Sequence, residues 1–285
     1  MPSKVGDAWA ACLCKKGYGA AGDPYFLLRF RASPYIQIIL RYASLSPNSL
    51  ILEPGCGSGK FSLALASLGH RVVALDYVFE VLEEVKNSEK SLKGRWFGQG
   101  LGYCQGDLES LPFPANVFDL VLNEGVVEHW LEEAERLAVI AEMVRVTRPG
   151  GVVAVLVPNG VHPLIRLWEK QLEGFRTSPP MTHYSAEMLK RDLSKAGLYD
   201  VYTDGIYPWR SWFRLRPWDR LYWIGASLDR LVPLPKPLRE KWAINLIGLG
   251  RKTGEPAHYE IAGRTGGLVG TVARITEELT RGTNP

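Results

Sequence analysis

The residues best suited to bind a ligand form the glycine-rich segment Glu53–Gly59, with the sequence EPGCGSG. Gly55 and Gly57 allow backbone torsions that a side chain would forbid, and they let the main chain approach a ligand closely. A helix is predicted to begin at Lys60, and its free N–H groups and positive dipole end suit a carboxylate. The segment therefore predicts a binding turn for a small molecule.

Acidic residues end or follow the next two predicted strands. Asp76 ends the apolar run Val72–Leu75 and lies 21 residues after Gly55. A carboxylate at this spacing can accept hydrogen bonds from both hydroxyls of a ribose. Asp107 follows the third predicted strand, where a carboxylate can accept a hydrogen bond from an adenine amino group. These positions indicate a nucleoside-binding edge.

A fourth polar motif belongs to the segment Phe118–Glu124, with the sequence FDLVLNE. As a strand, it would bring Asn123 and Glu124, followed by Gly125, to the carboxyl edge of the sheet. Ligands bind at that edge in open α/β folds. The residues Arg148–Gly151 are predicted to form the turn before the next strand.

Two other nucleotide-binding loops fit the glycine segment poorly. A nicotinamide-binding loop requires a third glycine where this chain has Lys60. A phosphate-binding P-loop requires a glycine and a hydroxyl residue where this chain has Pro54 and Phe61. Glycines that only form turns would not explain the acidic residues at successive strand ends.

The elements that must position these residues alternate between short apolar runs and amphipathic stretches, which predicts a doubly wound α/β fold with a seven-stranded, mostly parallel sheet. The predicted strands are Leu50–Leu52, Val72–Leu75, Tyr103–Gln105, Leu120–Leu122, Val152–Val157, Asp200–Thr203 and Ala243–Leu249. The predicted helices include Lys60–Leu68, Phe79–Lys86, Leu131–Val146 and one that is capped by Ser185 and stops at Gly197.

Over about Leu50–Lys252, these motifs and their order resemble the class I S-adenosylmethionine (SAM)-dependent methyltransferase superfamily. The resemblance is strongest to the small-molecule branch that includes ubiquinone and menaquinone biosynthesis methyltransferases. It implies a Rossmann-like fold and SAM as the cofactor. It also implies methyl transfer to an oxygen, nitrogen or carbon atom of a small acceptor, which includes hydrophobic molecules. It also implies a set of cofactor-binding residues: Glu53, Gly55, Cys56, Gly57, Gly59, Asp76, Tyr77, Gly106, Asp107, Leu108, Asn123, Glu124 and Gly125.

Two histidines are candidates for a general base, which the reaction needs only if the acceptor atom is protonated. They are His129, after the fourth strand, and His162, after the fifth. A structural role for His129, closing the cofactor pocket, is the stronger interpretation. Some relatives bind a metal through Glu-x-x-Glu-His here, but Glu124 and Glu128 have one residue too many between them, so no metal is predicted.

Segments outside the motif region suggest a cap, a lid and an extension. We expect an N-terminal helical cap at 1–44, a methyltransferase domain at 45–252, and a C-terminal extension at 253–285 that ends in a helix at Val272–Leu279. The insertion 205–240 is predicted to be a lid. The longer stretch 205–252, which includes this lid, contains ten Lys/Arg and three Asp/Glu. Five of the nine tryptophans lie within 205–242.

Composition and local charge limit the partners of the chain. A hydrophobic content of 46% with 22% charged residues is typical of soluble globular proteins, and no apolar run approaches the roughly 18 residues of a membrane span. A net charge of +4 is too small to predict DNA binding. Met1–Lys16 lacks the pattern of a secretory signal, and the four cysteines suggest no disulfide framework, so we expect a cytoplasmic protein. The tryptophans and arginines of 205–240 would also suit contact with a membrane surface.

Three functional hypotheses remain open at this point. The first is methylation of a small acceptor. The second is methylation of RNA, because tryptophans beside arginines can stack bases and contact phosphates, although no RNA-binding module is recognisable. The third is a SAM-binding regulatory protein without catalysis. The motifs identify the methyl donor in all three, so only a turnover measurement separates the first from the last.

Overall fold

The computed structural model describes residues 4–13, 23–92, 101–165, 179–213 and 221–254. Within these ranges the strands form one seven-stranded sheet in the order β3-β2-β1-β4-β5-β7-β6. All neighbouring strands are parallel except β7, which runs antiparallel to both β5 and β6. The strands are β1 Leu50–Pro54, β2 Arg71–Asp76, β3 Leu101–Gln105, β4 Phe118–Glu124, β5 Thr147–Pro158, β6 Leu198–Ile206 and β7 Asn245–Lys252. The predicted doubly wound α/β fold is confirmed.

Helices flank the sheet, whose buried apolar side chains fall into two hydrophobic clusters. The helices of the described residues are α1 Lys4–Leu13, α2 Pro24–Arg31, α3 Pro34–Ala43, α4 Lys60–Ala66, α5 Phe79–Leu92, α6 Glu133–Val146, α7 Ala186–Lys195, α8 Tyr222–Leu231 and α9 Lys236–Trp242, with short 3₁₀ turns at Val127–His129 and Arg210–Phe213. One cluster contains side chains of α2 to α5, and the other contains side chains of α6 and α7. None of these helices is long and apolar enough to cross a membrane.

The strand order brings the ends of β1, β2, β3 and β4 to one edge of the sheet. Strand β1 pairs with β2 on one side and with β4 on the other, so the direction of winding reverses between β1 and β4. Because these strands are parallel, their carboxyl ends meet at the same edge, next to the crevice where ligands bind in this class of fold. Pro54, Asp76 and Glu124 are the last residues of β1, β2 and β4.

Several element boundaries differ from the sequence-based expectation. The residues Arg148–Gly151, predicted as a turn, lie inside β5, where the pairing with β4 shifts register between Phe118 and Leu120. Helix α5 continues to Leu92 instead of ending at Lys86. This extension is explained by Glu89, which is buried and accepts a hydrogen bond from a tyrosine hydroxyl of β3.

The segments expected to form a cap and a lid are helical where they are described. Helices α1, α2 and α3 precede the sheet, and α8 and α9 lie between β6 and β7. The predicted cap of α7 is confirmed, because Ser185 Oγ accepts a hydrogen bond from the Met188 N–H at 3.1 Å. The expected helix at Val272–Leu279 lies outside the described residues. The domain boundaries themselves stay a prediction.

Candidate functional site

A cavity of about 300 Å³ opens at the carboxyl ends of β1, β2 and β4. Its walls combine the glycine turn after β1, residues that follow β2, β3 and β4, and two residues of α1. The lining residues are Val5, Gly6, Glu53, Gly55, Cys56, Gly57, Ser58, Lys60, Asp76, Tyr77, Asp107, Leu108, Glu124, Gly125, Val126 and Trp130. The sheet edge predicted to bind a ligand therefore contains a cavity.

The glycine turn has a backbone that only glycine adopts easily. Gly55 and Gly57 have φ angles of 72° and 50°, in the left-handed region. The N–H groups of Gly55 and Cys56 both donate to the Leu75 carbonyl, at 2.8 and 2.9 Å, which fixes the turn to β2. A Cβ atom on Gly55 would lie 2.8 Å from Val126 Cγ2, so a side chain there would collide with the opposite wall.

Asp76 fastens the glycine turn from the neighbouring strand. Its Oδ2 accepts a hydrogen bond from the Gly57 N–H at 3.0 Å, and its Oδ1 accepts one from the Val78 N–H at 3.1 Å. Burial raises the pKa of this carboxyl, while the hydrogen bonds from backbone N–H groups oppose that rise. Each carboxylate oxygen has two acceptor positions, so Asp76 can hold the turn and still accept hydrogen bonds from a ligand.

Glu53 places a second buried carboxyl group in the wall of the cavity. Its Oε2 accepts hydrogen bonds from the Ser62 N–H at 2.8 Å and from the Ser62 hydroxyl at 2.5 Å. Burial raises the pKa of Glu53 to about 8, and these hydrogen bonds only partly offset the effect. Burial therefore favours the protonated form of Glu53 in the free chain, and a bound cation would favour its ionised form.

Lys60 and Glu124 form an ion pair across the cavity lining. Lys60 is the first residue of α4, and Glu124 is the last residue of β4. The Lys60 ammonium also lies 5.8 Å from the ring centre of Phe30 and 5.7 Å from that of Phe61. The glycine turn is thus linked to β4 by a charge pair as well as by packing.

The residues after β3 form the part of the cavity wall where a nucleoside is expected. Asp107 Oδ1 accepts a hydrogen bond from the Glu109 N–H at 3.0 Å, and burial raises the pKa of Asp107. Leu108 is buried beside it and contributes an apolar surface. Tyr77, which follows Asp76 directly, also lines the cavity.

Three of the residues predicted to bind the cofactor lie outside the cavity lining, and each has another role. Gly59 ends the turn with φ 68°, and a Cβ there would lie 2.5 Å from a methyl group of Val85. Gly106 packs closely, since a Cβ there would lie 3.0 Å from Leu75 Cδ1. The side chain of Asn123 is fully buried and donates to the Met143 sulfur at 3.4 Å, away from the cavity.

Neither candidate base lines the cavity. His129 is buried in the 3₁₀ turn after β4, and its Nδ1 lies 3.0 Å from the Pro180 carbonyl, so this nitrogen carries a proton and donates. His162 Nδ1 accepts from the Leu164 N–H at 3.0 Å, which leaves the proton on Nε2, 2.9 Å from Ser211 Oγ. Burial lowers the pKa of His162 to about 4. These contacts hold both rings in place, and a base role for either histidine stays a prediction.

Sequence reasoning missed several residues of the wall. Lys60 and Ser58 belong to the glycine turn and its helix, where the motif itself was a sufficient signal. Val126 and Trp130 follow β4, and Trp130 is fixed by a hydrogen bond from its Nε1 to Glu109 Oε1 at 2.9 Å. Val5 and Gly6 come from α1, and no motif indicated them. Among the described residues no cluster of His, Cys, Asp and Glu could hold a metal ion.

Comparison with known proteins links part of the chain to methyltransferases. Residues 52–155 match the family model described as a methyltransferase domain. Malonyl-[acyl-carrier protein] O-methyltransferase of Serratia marcescens is 31% identical over 140 residues, which are 48% of this chain and 50% of that protein. The chain thus spans about half the length of the curated relatives it matches. The same stretch also resembles proteins with tRNA methyltransferase names, so it does not select the acceptor.

Solved structures support the same fold over a longer part of the chain. A SAM-dependent methyltransferase of Methanosarcina mazei covers 78% of this chain and 98% of its own, with a TM-score of 0.54 at 18% identity. A chain solved in work on conversion of a disulfide bond into a thioacetal group during echinomycin biosynthesis covers 96% and 99%, with a TM-score of 0.57 at 17% identity. At these identities the likeness shows the fold alone.

The seven-stranded sheet, the ordered motifs and the match over residues 52–155 support a class I SAM-dependent methyltransferase. The cofactor of this class is SAM, a molecule with a sulfonium and an ammonium cation. The cavity fits such a ligand, because it contains the carboxyl groups of Glu53, Asp76, Asp107 and Glu124 and, among the described residues, one lysine or arginine side chain, Lys60. This excess of acidic groups favours a cation.

Proposed function

We propose that this protein transfers the methyl group of SAM to a small, hydrophobic acceptor. The observation that carries the proposal is the cavity itself, where the glycine turn and the acidic residues of four successive strands surround one space. SAM supplies an electrophilic methyl group bonded to a sulfonium sulfur. The chain must hold the acceptor atom in line with that sulfur and exclude water.

The binding roles follow from the contacts in the cavity. Asp76 is positioned to accept the ribose hydroxyls, because its carboxylate is held in place by the Gly57 and Val78 N–H groups. Glu53 is positioned to meet an ammonium group near the first turn of α4. Trp130 and Leu108 supply apolar surface that excludes water from the cofactor.

The acceptor we favour has an oxygen that is already ionised at neutral pH, such as a carboxylate. Among the described residues no histidine lines the cavity. The two candidate bases, His129 and His162, are both engaged in hydrogen bonds elsewhere. An acceptor that arrives deprotonated needs no general base. The name of the Serratia relative, a malonyl-carrier O-methyltransferase, is compatible with this class of acceptor.

Turnover tests the proposal against its alternatives. Purified chain and SAM are incubated with a metabolite extract, with malonyl and longer acyl carboxylates, and with total RNA, and S-adenosylhomocysteine (SAH) is quantified. We expect SAH to form with the carboxylates or the small-molecule extract. Formation with RNA alone would favour the RNA hypothesis. Tight SAM binding with no turnover on any acceptor would favour a regulatory binder, and absence of SAM binding would refute the proposal.

We further propose that helix α8 contacts a membrane surface from which a hydrophobic acceptor enters. Trp223 is 65% exposed and Leu231 is 76% exposed, while Val232, just after the helix, is 41% exposed. These residues accompany the local excess of seven positive charges in 205–252, ten basic against three acidic. Exposed aromatic and aliphatic side chains near basic ones suit an anionic lipid surface.

Three other tryptophans, Trp209, Trp212 and Trp242, pack against one another. Trp212 and Trp242 lie edge to face with ring centres 5.6 Å apart, and Trp209 lies 6.0 Å from Trp242. The Trp209 ring nitrogen donates to the Val232 carbonyl at 2.8 Å. Substitution of these side chains would disturb the fold, so they are unsuitable probes of membrane contact.

Cosedimentation with vesicles containing phosphatidylglycerol tests the membrane proposal. We expect the wild-type chain to bind at low salt and a Trp223→Ser, Leu231→Ser variant to lose most of that binding. Leu131→Ser is the control, because Leu131 is also an exposed apolar side chain, at 52%, and lies outside the insertion. Binding that is absent, or that persists unchanged in the double variant, would refute the proposal.

A further inference from the structure

Helix α1 covers part of the proposed SAM site, although it lies 39 residues or more before the matched methyltransferase domain, which begins at residue 52. Val5 and Gly6, both in α1, form part of the cavity wall. Val5 is partly buried and packs against the same hydrophobic cluster as Leu108 and Trp130. The helix therefore faces the side of the cavity where the nucleoside of SAM is expected.

Tyr77 is the contact that holds α1 over the cavity. Its hydroxyl donates to Asp7 Oδ1 at 2.9 Å. Its ring lies directly against the helix, since a Cβ on Gly6 would be 2.8 Å from three of the ring carbons. Tyr77 follows Asp76, the residue positioned to accept the ribose hydroxyls. A single residue thus connects the nucleoside-binding strand end to the helix above it.

The absence of a side chain at Gly6 has a physical consequence. Glycine in a helix costs about 1 kcal/mol of stability relative to alanine. At this position the cost is offset by close approach of the helix backbone to the Tyr77 ring, which a side chain would prevent. The fit between α1 and the cavity wall depends on this approach.

We propose that α1 is a lid over the nucleoside half of the SAM site, and that it slows cofactor release through contacts of Val5 and Gly6 with the bound molecule. The inference rests on the proposed SAM binding. The closed position is stabilised by the hydrogen bond from Tyr77 to Asp7 and by the apolar contact of Val5. Exchange of SAH for fresh SAM then requires α1 to move away from Tyr77.

The test measures SAH dissociation from the full chain by stopped flow, with excess SAM as the competitor. Gly6→Leu should raise both Kd and the dissociation rate at least about tenfold, because affinity changes within one site are expressed mostly in dissociation. Tyr77→Phe removes only the hydrogen bond to Asp7 and should raise the dissociation rate about twofold to tenfold. Ala8→Leu, on the exposed side of the same helix, is the matched control and should change neither quantity.

Hydrogen exchange gives a second, independent readout on the wild-type chain. SAH should slow amide exchange in residues 4–13 if the ligand holds α1 closed. Unchanged exchange in this segment, together with unaltered SAH dissociation in Gly6→Leu, would overturn the lid while leaving the proposed function intact. A wild-type chain that binds neither SAM nor SAH would overturn both.

Discussion

At the scale of single residues, the carboxyl group of Glu53 connects ligand binding to pH. Burial raises its pKa to about 8, and the nearby charges of Lys60 and Glu124 act on it in opposite directions. A cation bound beside Glu53 favours the carboxylate and lowers this pKa again. Binding of SAM near pH 7 should therefore release a proton from Glu53, and affinity should increase as the pH rises from 6 to 8.

Calorimetry in two buffers with different ionisation enthalpies measures this proton release. Wild-type chain should show a buffer-dependent binding enthalpy at pH 7. Glu53→Gln, which cannot ionise, should lose most of the dependence, and the difference between the two proteins removes any contribution from titration of SAM itself. Equal proton release in both proteins would contradict the role given to Glu53.

His162 illustrates how burial separates a structural histidine from a catalytic one. Its Nδ1 accepts from the Leu164 N–H within the loop after β5, and its Nε2 donates to Ser211 Oγ of the insertion. Ser211 Oγ in turn donates to the Pro208 carbonyl at 2.5 Å. Because burial lowers the pKa of His162 to about 4, the ring is neutral in the folded chain. Protonation of the unfolded chain below about pH 6.5 then costs folded-state stability.

We expect His162→Gln to lower the free energy of unfolding by about 2 kcal/mol at pH 7.5, since it breaks buried hydrogen bonds. The loss should be smaller at pH 5, where the wild-type chain already loses part of the histidine contribution. Urea denaturation of the wild-type chain and the variant at both pH values measures this loss of unfolding free energy. A variant with wild-type stability but strongly reduced kcat would instead support the base role predicted from sequence.

At the scale of elements, Gly59 determines how α4 begins and how it packs on α5. Its φ of 68° disfavours a side chain, and a Cβ would lie 2.5 Å from a methyl group of Val85. Gly69 has φ 90°, and a Cβ on it would have no atom within 4 Å. Substitution of Gly69 therefore measures the cost of the left-handed backbone alone, without a steric clash. Gly69→Ala should lower the free energy of unfolding by about 1 to 2 kcal/mol. Gly59→Ala should lower it by about 1 to 3 kcal/mol more, because its Cβ also collides with Val85.

Thermal denaturation compares these variants, and Val85→Ala provides a cross-check. In the background of Val85→Ala, the additional cost of Gly59→Ala should largely disappear, because the colliding methyl groups are gone. An equal cost for Gly59→Ala and Gly69→Ala would show that packing against α5 contributes nothing.

Sequence patterns predicted the elements well where local signals decide them. The strands themselves and the shared edge of their ends follow from apolar runs ending in Glu53, Asp76 and Glu124, because parallel strands bring those ends together. Side chains alternate between the two faces along β4, which agrees with Asn123 being buried against Met143 while Glu124 lines the cavity.

Other features of the site depend on contacts between distant residues. Tyr77 meets Asp7 across 70 positions of sequence, and His162 meets Ser211 across 49. No local pattern encodes such pairs, since they arise only when separate elements pack. For this reason the sequence indicated the cofactor turn but neither the position of α1 over it nor the structural role of His162.

At the scale of the whole molecule, we expect the sheet to bind the cofactor and the segments outside it to select the acceptor. The first four strand ends form most of the cavity and lie within the matched residues 52–155, whereas Val5 and Gly6 of its wall lie outside them. The acceptor is expected to be selected by segments outside that core, such as α1, α2 and the insertion with α8, because such segments vary freely on a common fold. The carboxylate acceptor and the membrane contact are therefore tested separately from SAM binding.

The most direct test of the central claim is a calorimetric titration of SAM into wild-type chain, Asp76→Asn and Asp119→Asn. Both aspartates hold backbone N–H groups, but Asp119 accepts from Leu50 at the opposite edge of the sheet. We predict one SAM site per chain, an affinity at least about tenfold weaker in Asp76→Asn, and an unchanged affinity in Asp119→Asn. Absence of SAM binding by the wild-type chain, or equal affinity in Asp76→Asn, would contradict the account.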